Sequence, residues 1–495
     1  MYKRQGQAYH QQAIIQLAQG WNPLHDPPLP TTVSHALFVN CYPKAAWLME
    51  AVSYKLTGSI ESGKALGVLL LLCAILIGNA TFQRIGLTRW QAMGMATLLA
   101  LNPVALAQSS SFYVDGILGS TLLIGGYLCV LWLLQPRTRL LVLLAGTGLL
   151  LINLKFTGAL FFGATTPLFV LLARRLHPRQ FRYTLYTCAG TLLLGVFVVG
   201  ANPYLSNLSR HGHPLFPLRG HHAIDLSPQG PAREFQQHNR FSQLAISLFA
   251  EASNSPGATP QLKLPLSIRP RELSALAAPD TRIAGFGPLF GPSLLIAFGL
   301  LALAGFYHHP RFRAVLLLTA IALGSSLVLP TPYWARYVPQ LYLIAPLSVL
   351  LCSGFKSELE RNHSILRWSR YGGLVLCVLL TLNLAVVAGV SVGSSLLGNL
   401  CRRNQLAQLA KQPEPIEIDF HGFDSNRLLL QAARIRYQQT TALHCPNPQP
   451  ILMSEARYCL TNGESPLPQP SQRDQILDAL TRSGLTPLRR MIQVP

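Results

Sequence analysis

Residues 108–134 read QSSSFYVDGILGSTLLIGGYLCVLWLL, and this stretch decides the class of the protein. A polar turn that ends in Asp115 and Gly116 leads directly into residues 117–134, which carry no charge. A helix needs about 20 apolar residues to cross the hydrocarbon core of a bilayer. The stretch therefore predicts a transmembrane helix with an acidic residue at its start.

The rest of the chain repeats this pattern. Of its 495 residues, 50% are hydrophobic and 12% are charged, whereas a soluble domain carries about 25% charged residues. This composition excludes an ordinary soluble enzyme and a disordered chain, and it predicts an all-α polytopic membrane protein. Ten candidate spans lie at residues 65–82, 91–108, 116–134, 139–153, 157–173, 184–201, 290–307, 313–330, 336–354 and 371–396.

The net charge of +21 follows the predicted topology. Short loops on one side hold 14 Lys and Arg residues, whereas those on the other side hold only Lys155 and Arg336. Cytoplasmic loops accumulate basic residues, so the first set is predicted to be cytoplasmic and nucleic-acid binding is not indicated. The basic loops are 83–90, 135–139, 174–183, 308–313 and 355–370.

The predicted organisation places three segments outside the cytoplasm. The parts are a first extracytoplasmic loop (1–64), transmembrane helices (65–201), a long extracytoplasmic loop (202–289), transmembrane helices (290–396) and a small C-terminal extracytoplasmic α/β domain (397–495). Amphipathic helices are predicted at 10–19 and 44–58, either on the membrane surface or packed beneath the loop.

The C-terminal domain has the pattern of a small α/β unit. A strand is predicted at 416–420, and helices are predicted at 425–437 and near 471–483. Cys445 and Cys459 either form a disulfide in an oxidising periplasm or stay free thiols, and the sequence leaves both open.

The first five residues, MYKRQ, resemble the translated remnant of a sequencing adapter. The segment 1–64 would also begin outside the cytoplasm without a helix before it. We therefore expect genuine sequence to start near Gly6 and a transmembrane helix to be missing upstream. The alternative is an authentic basic N-terminus.

Three charged residues lie at the predicted outer membrane edge. Asp115 precedes one span, Lys155 separates two others, and Arg336 begins a fourth. Asp115 suits a helix cap and equally a catalytic role, because charges at membrane depth usually have a function. Lys155 and Arg336 either extend to lipid headgroups or bind the phosphate of a lipid substrate.

Further candidates lie in the outer loops. The first loop offers Tyr9, His10 and Asp26, although Asp26 precedes two prolines and also suits a turn. His211 and His213 lack a placed third ligand, so no cofactor is assigned and a divalent metal stays open. The candidates of the long loop are Asn202, Tyr204, Arg210, His211, His213 and Arg282.

Several stretches together resemble the GT-C superfamily of membrane glycosyltransferases. They are YH with GWNP (9–10, 20–23), SSFYVDG (110–116), NLKFTG (153–158), ANPYLSNLSRHGHPLFPL (201–218), RIAGFGPLF (282–290) and YWARYVPQLYL (333–343). The resemblance covers residues 6–400. It implies transfer of a sugar from a polyprenyl-phosphate donor to a cell-envelope glycan or lipid, at the extracytoplasmic face of the bacterial inner membrane.

The resemblance also implies roles for residues. In that family a carboxylate of the first outer loop serves as the base, and it stands four positions before the Tyr of the YH motif. In this sequence that position is Gln5. We therefore expect the base to be lost upstream of Gly6. Asp115 and Asp26 remain as catalytic acidic groups. Lys155, Arg336 and Tyr337 are expected at the carrier phosphate. Alternative functions are an O-antigen ligase or polymerase, and a lipid or solute transporter.

Overall fold

The computed structural model describes residues 6–225, 227–352 and 363–460. The predicted adapter remnant (1–5), part of the basic loop 355–370 and the predicted helix near 471–483 lie outside the described residues. Before the first long span, the helices are α1 (Gln11–Ala18), α2 (Ala36–Cys41) and α3 (Ala45–Thr57).

The first half of the helical bundle follows. Its helices are α4 (Ala65–Arg84), α5 (Arg89–Ala100), α6 (Pro103–Gln108), α7 (Asp115–Leu134), α8 (Thr138–Leu154), α9 (Phe156–Leu176) and α10 (Phe181–Leu193), which continues as a π-helical turn over Leu194–Val198. The long loop contains α11 (Ser206–His211), α12 (Arg233–Gln237), α13 (Arg240–Phe249) and α14 (Pro270–Leu276).

The second half completes the bundle and leads into the C-terminal domain. Its helices are α15 (Phe290–Phe306), α16 (Phe312–Val328), α17 (Ile344–Ser348, flanked by 3₁₀ turns at Pro339–Leu343 and Val349–Cys352) and α18 (His363–Leu409). The C-terminal domain contains β1 (Ile416–Asp419), α19 (Asn426–Ala432), β2 (Tyr437–Gln439), β3 (Gln449–Pro450) and β4 (Arg457–Leu460).

Among the described residues, five helices are long and apolar enough to cross a membrane. They are Ile60–Arg84, Asp115–Leu134, Phe156–Leu176, Phe181–Val198 and Trp368–Leu409. Shorter apolar helical segments cover Thr138–Leu154, Phe290–Phe306, Phe312–Val328 and Pro339–Cys352. Each of these segments overlaps a span predicted from the sequence.

The predicted span 91–108 is not one helix. α5 ends at Ala100, and α6 starts at Pro103 after Asn102, whose side-chain oxygen accepts a hydrogen bond of 3.0 Å from the Val104 backbone N–H. Proline fits the first turn of a helix but has no N–H to continue the preceding one, so the break falls at this position.

The first loop packs against the bundle. Ile14 of α1 and Trp47 of α3 belong to the same buried apolar cluster as Leu118 of α7 and Phe290 of α15. The opposite side of α3 exposes further apolar residues, Leu48, Val52 and Leu56. One face of the helix is therefore packed in the core, and the opposite face leaves apolar side chains exposed.

The C-terminal sheet has the strand order β2-β1-β4-β3, with β1 parallel to β2 and antiparallel to β4. The helix predicted at 425–437 is shorter than expected: α19 ends at Ala432, and Arg434 then adopts a positive φ of 55° before β2 begins. A disulfide joins Cys445 to Cys459 of β4, which answers the question that the sequence left open.

A close contact between α8 and α9 fixes the corner that carries Lys155. Lys155 has an extended backbone (φ −161°, ψ 152°) that separates the two helices. At Gly158 the two helices approach so closely that a Cβ added to this glycine would lie 2.0 Å from the backbone oxygen of Leu151. A residue without a side chain is therefore required at this position.

We expect Gly158→Ala to lower the stability of the protein by about 2 kcal/mol or more, because the methyl group meets backbone that cannot rotate away. The readout is the thermal melting temperature in detergent. Gly163→Ala in the same helix is the matched control, since its Cβ would meet nothing within 4 Å. Equal melting temperatures of the two variants would contradict this account.

Candidate functional site

Asp115 is the first residue of α7 and is buried. Its helix has no side-chain cap, so the structure does not use Asp115 in the capping role that the sequence also allowed. Its carboxylate instead forms an ion pair with the Lys155 ammonium group. That ammonium group also lies 4.2 Å from the ring centre of Tyr337. The pair therefore joins the N-terminal ends of α7 and α9 at one face of the bundle.

Gln108 holds the turn before α7 in place. Its side-chain oxygen accepts a hydrogen bond of 2.7 Å from the Gly116 backbone N–H, and its amide group donates one of 3.1 Å to the backbone oxygen of Pro279 in the long loop. A Cβ on Gly116 would lie 2.9 Å from the Cα of Ala105, so glycine is needed for α6 and α7 to approach. The turn is therefore tied to both α6 and the long loop.

Arg336 and Arg282 share one buried carboxylate, that of Asp280. Arg336 Nη1 lies 3.1 Å from Asp280 Oδ1, and Arg282 Nη2 lies 2.9 Å from Asp280 Oδ2. The backbone N–H of Arg336 donates to the Thr281 oxygen at 3.0 Å. Because all three charged side chains are buried, each charge must be matched by its neighbours.

Aromatic rings surround this group of charges. The Arg336 guanidinium lies 5.0 Å from the ring centre of Tyr337, 5.2 Å from that of Trp334 and 5.6 Å from that of Tyr113. Arg282 lies 4.5 Å from the ring centre of Trp334. Cations over aromatic faces are attracted by the ring quadrupole, so the rings help to hold the guanidinium groups in place.

The first loop closes over the same place through Tyr9 and His10. Tyr9 stacks on Tyr42 with ring centres 5.7 Å apart. His10 Nδ1 accepts a hydrogen bond of 2.7 Å from the indole N–H of Trp47. Burial lowers the pKa of His10 to about 3, while Asp115, Lys155 and Arg336 also act on that pKa. The His10 ring therefore lies beside the charges in its neutral form.

We call these residues the charged cluster: Tyr9, His10, Tyr113, Asp115, Lys155, Asp280, Arg282, Trp334, Arg336 and Tyr337. Three cations face two carboxylates, so the cluster has a net charge of +1 when His10 is neutral. Lys155 lies where α9 starts, and Asp115 is the first residue of α7. The N-terminal ends of helices carry positive partial charge, which adds to that of the cluster.

Other predicted residues lie in separate contacts. Asp26 is exposed in a turn, where its Oδ2 accepts a hydrogen bond of 2.6 Å from the Asn22 backbone N–H. Asn202 accepts a hydrogen bond of 2.6 Å from the Lys44 ammonium group and thereby links the segment after α10 to the first loop. The Tyr204 hydroxyl donates to the Ile152 backbone oxygen at 2.6 Å.

The remaining predictions concern α11 and the turn after it. Arg210 is exposed. His211 stacks on Phe216 with ring centres 3.9 Å apart, and His213 Nδ1 accepts a hydrogen bond of 3.1 Å from the Leu215 backbone N–H. Across the described parts of the chain, no three His, Cys, Asp or Glu residues lie together as a metal site would require. The roles predicted for these residues stay predictions.

Four buried carboxyl residues were not predicted as site residues from the sequence: Glu50, Glu251, Glu272 and Asp280. Asp280 stands two positions before Arg282, and the only signal was that both are charged near a predicted membrane edge. Glu50 interrupts the apolar helix α3, in which the other buried residues are Ala46, Trp47 and Ala51. A lone acidic residue among the apolar residues of a helix is a signal that could have singled out Glu50 from the sequence.

No protein-family model and no curated protein matches the sequence. Among solved structures, the chain is similar to ArnT from Cupriavidus metallidurans. Its apo crystal structure has a TM-score of 0.45 and 14% identity, over 88% of this chain and 80% of that one. The crystal structure bound to undecaprenyl phosphate has a TM-score of 0.46 and 13% identity, over 99% of this chain and 85% of that one. Because these likenesses are distant, the function of this chain is inferred from its own residues.

The buried neutral His10 predicts a dependence of stability on pH. The pKa of His10 is about 3 in the folded protein and about 6.5 in an unfolded chain, so the unfolded state binds more protons between these values. Stability should therefore fall as the pH drops from about 6.5 towards 3, by up to about 1.4 kcal/mol per pH unit. His10→Asn, which keeps an acceptor for Trp47, should flatten this decline in melting temperature.

The exposed His221 provides the control. His221→Asn should melt with the same pH dependence as the unmodified protein. If His10→Asn also follows the unmodified protein at every pH, His10 is not the buried neutral group inferred above.

Proposed function

We propose that the chain is an integral membrane glycosyltransferase that takes a sugar from a polyprenyl-phosphate donor. The proposed acceptor is a glycan or lipid of the cell envelope, and transfer takes place at the extracytoplasmic face of the bacterial inner membrane. The proposed topology has ten membrane crossings, with α5 and α6 together forming the broken second one. The short loops rich in Lys and Arg face the cytoplasm, as the distribution of basic residues favours.

The observation that carries the proposal is the charged cluster with its net charge of +1. Lys155 and Arg336 present an ammonium and a guanidinium group at the ends of apolar helices, where the headgroup of a membrane lipid lies. A guanidinium group can bind a phosphate through two parallel hydrogen bonds, and an ammonium group adds a point charge. A phosphate joined to a long apolar chain fits both the charge and the position.

The aromatic rings of the cluster support a sugar as the second part of the ligand. Tyr9, Trp334 and Tyr337 are amphipathic rings that offer apolar faces beside polar groups. Sugar rings combine apolar C–H faces with hydroxyl groups, so they match such surroundings. The rings lie within the same cluster as the two proposed phosphate ligands.

The proposed reaction breaks the bond between the sugar C1 and the phosphate oxygen and forms a bond from C1 to an acceptor oxygen. Lys155 and Arg336 stabilise the negative charge that develops on the leaving polyprenyl phosphate. Asp115 pairs with Lys155 in the structure, and it is released when Lys155 forms an ion pair with the phosphate instead. Its carboxylate then accepts the proton of the acceptor hydroxyl group as general base.

Binding of undecaprenyl phosphate, the lipid named for one of the ArnT structures, tests the phosphate site. We expect the purified protein in nanodiscs to bind it, and Arg336→Ala and Lys155→Met to weaken binding by about tenfold or more each, because each loses a charge-assisted hydrogen bond. Arg313→Ala, an exposed basic residue at the first turn of α16, is the control and should bind as the unmodified protein does.

Asp115→Asn should change binding in the opposite direction. It removes the carboxylate that competes with the phosphate for Lys155, so the affinity for undecaprenyl phosphate should rise while sugar transfer is lost. Weaker binding by Asp115→Asn, or unchanged binding by both cation variants, would reject the proposed site.

A further inference from the structure

Glu50 is a buried carboxyl group that the proposed reaction does not use. It lies on α3 with 1% of its surface exposed, and its Oε2 has no hydrogen-bond partner among the described residues. Burial raises the pKa of Glu50 well above its ordinary value, which favours the neutral form of its carboxyl group. Buried polar groups are nearly always hydrogen-bonded, so one without a partner points to a ligand or a water that completes it.

Glu50 faces a small cavity with room for a water-sized group. Six of its ten lining residues have polar side chains. Its polar members are Glu50, Lys64, Gln108, Ser109, Ser111 and Tyr113. Gly63 lies beside Glu50, and a Cβ on Gly63 would come within 3.0 Å of the Glu50 Cβ. The glycine therefore leaves room for the Glu50 side chain.

The cavity shares its wall with the charged cluster. Gln108 lines it and also binds the backbone N–H of Gly116, the residue after Asp115. Tyr113 lines it as well, and its ring centre lies 5.6 Å from the Arg336 guanidinium group. A group attached to a phosphate at Arg336 and Lys155 therefore has this cavity as a neighbour.

We propose that this cavity is a subsite for one hydroxyl group of the transferred sugar, with Glu50 as its hydrogen-bond partner. The inference rests on the function proposed above. A neutral carboxylic acid offers one O–H donor and a carbonyl acceptor, which matches a hydroxyl group that both accepts and donates. The space fits a hydroxyl group and not a sugar ring. The sugar is covalently joined to the phosphate in the adjoining cluster, which favours it over the acceptor as the source of that hydroxyl.

Glu50 is thus a specificity residue, separate from the general base. A neutral acid is a poor proton acceptor, so Glu50 binds the sugar while Asp115 takes the proton. Removing the hydrogen bond should weaken binding of the sugar-bearing lipid and leave binding of the bare lipid phosphate unchanged.

The experiment compares two kinds of probe on the full chain in nanodiscs. The probes are undecaprenyl phosphate and undecaprenyl phosphate that carries glucose, mannose or arabinose. We expect Glu50→Leu to weaken the best sugar-bearing probe by about tenfold and to leave undecaprenyl phosphate unaffected. Glu50→Gln keeps a donor and an acceptor, so it should stay within about threefold of the unmodified protein.

Deoxy analogues of the best probe identify the hydroxyl group. For the analogue that lacks the bound hydroxyl, the unmodified protein and Glu50→Leu should bind equally, because the interaction is already absent. Gln12→Leu is the matched control: Gln12 is also a buried polar residue of the first loop with an unpartnered oxygen, and it does not line the cavity. It should leave both probes unaffected.

Three results would overturn the subsite: Glu50→Leu weakens both kinds of probe equally, it weakens neither, or the unmodified protein binds no sugar-bearing probe better than the bare lipid. Failure of the proposed function is distinguishable from all three. In that case the unmodified protein would not bind undecaprenyl phosphate at all, and the subsite would fall with it.

Discussion

Neutralisation of buried charge at the ends of apolar helices is the constraint on which this structure depends. Asp115 and Asp280 are buried carboxylates, and each forms an ion pair with a cation, Asp115 with Lys155 and Asp280 with Arg336. Removing one member of such a pair leaves an uncompensated charge, which typically costs about 3–5 kcal/mol. Ion pairs therefore fix the turn before α7 to the corner between α8 and α9, and the long loop to the segment before α17.

Segments that are far apart in sequence complete the cluster. His10 of the first loop, Asp280 of the long loop and Arg336 before α17 are brought together, and Gln108 links the long loop to the start of α7. The C-terminal domain also reaches the first loop, where Arg402 of α18 lies 3.4 Å from Glu61. A ligand that enters the cluster meets groups from the first loop, the first half of the bundle, the long loop and the segment before α17, and a phosphate would add the negative charge that the cluster lacks.

The sequence predicted much of the helical architecture, because uncharged runs of about 20 residues have few alternatives to a membrane-spanning helix. It also singled out Asp115, Lys155 and Arg336, since charges at a predicted membrane edge are rare. It did not predict that Asp280 holds Arg336, or that Glu50 faces a cavity beside Tyr113, because these contacts join distant segments. The break at Asn102 in span 91–108 was missed since apolar periodicity continues across it. The pairing of Cys445 with Cys459 could not be decided from the sequence, because their spacing along the chain does not show that their Cα atoms lie 5.8 Å apart.

The central claim is that the charged cluster receives the phosphate of a polyprenyl lipid. The most direct test is a cryo-electron microscopy structure of the full chain in nanodiscs with undecaprenyl phosphate added. The account predicts phosphate density within hydrogen-bond distance of Arg336 and Lys155, with Lys155 turned from Asp115 towards the phosphate. A lipid phosphate bound elsewhere, with the Asp115–Lys155 and Asp280–Arg336 pairs unchanged, would contradict it.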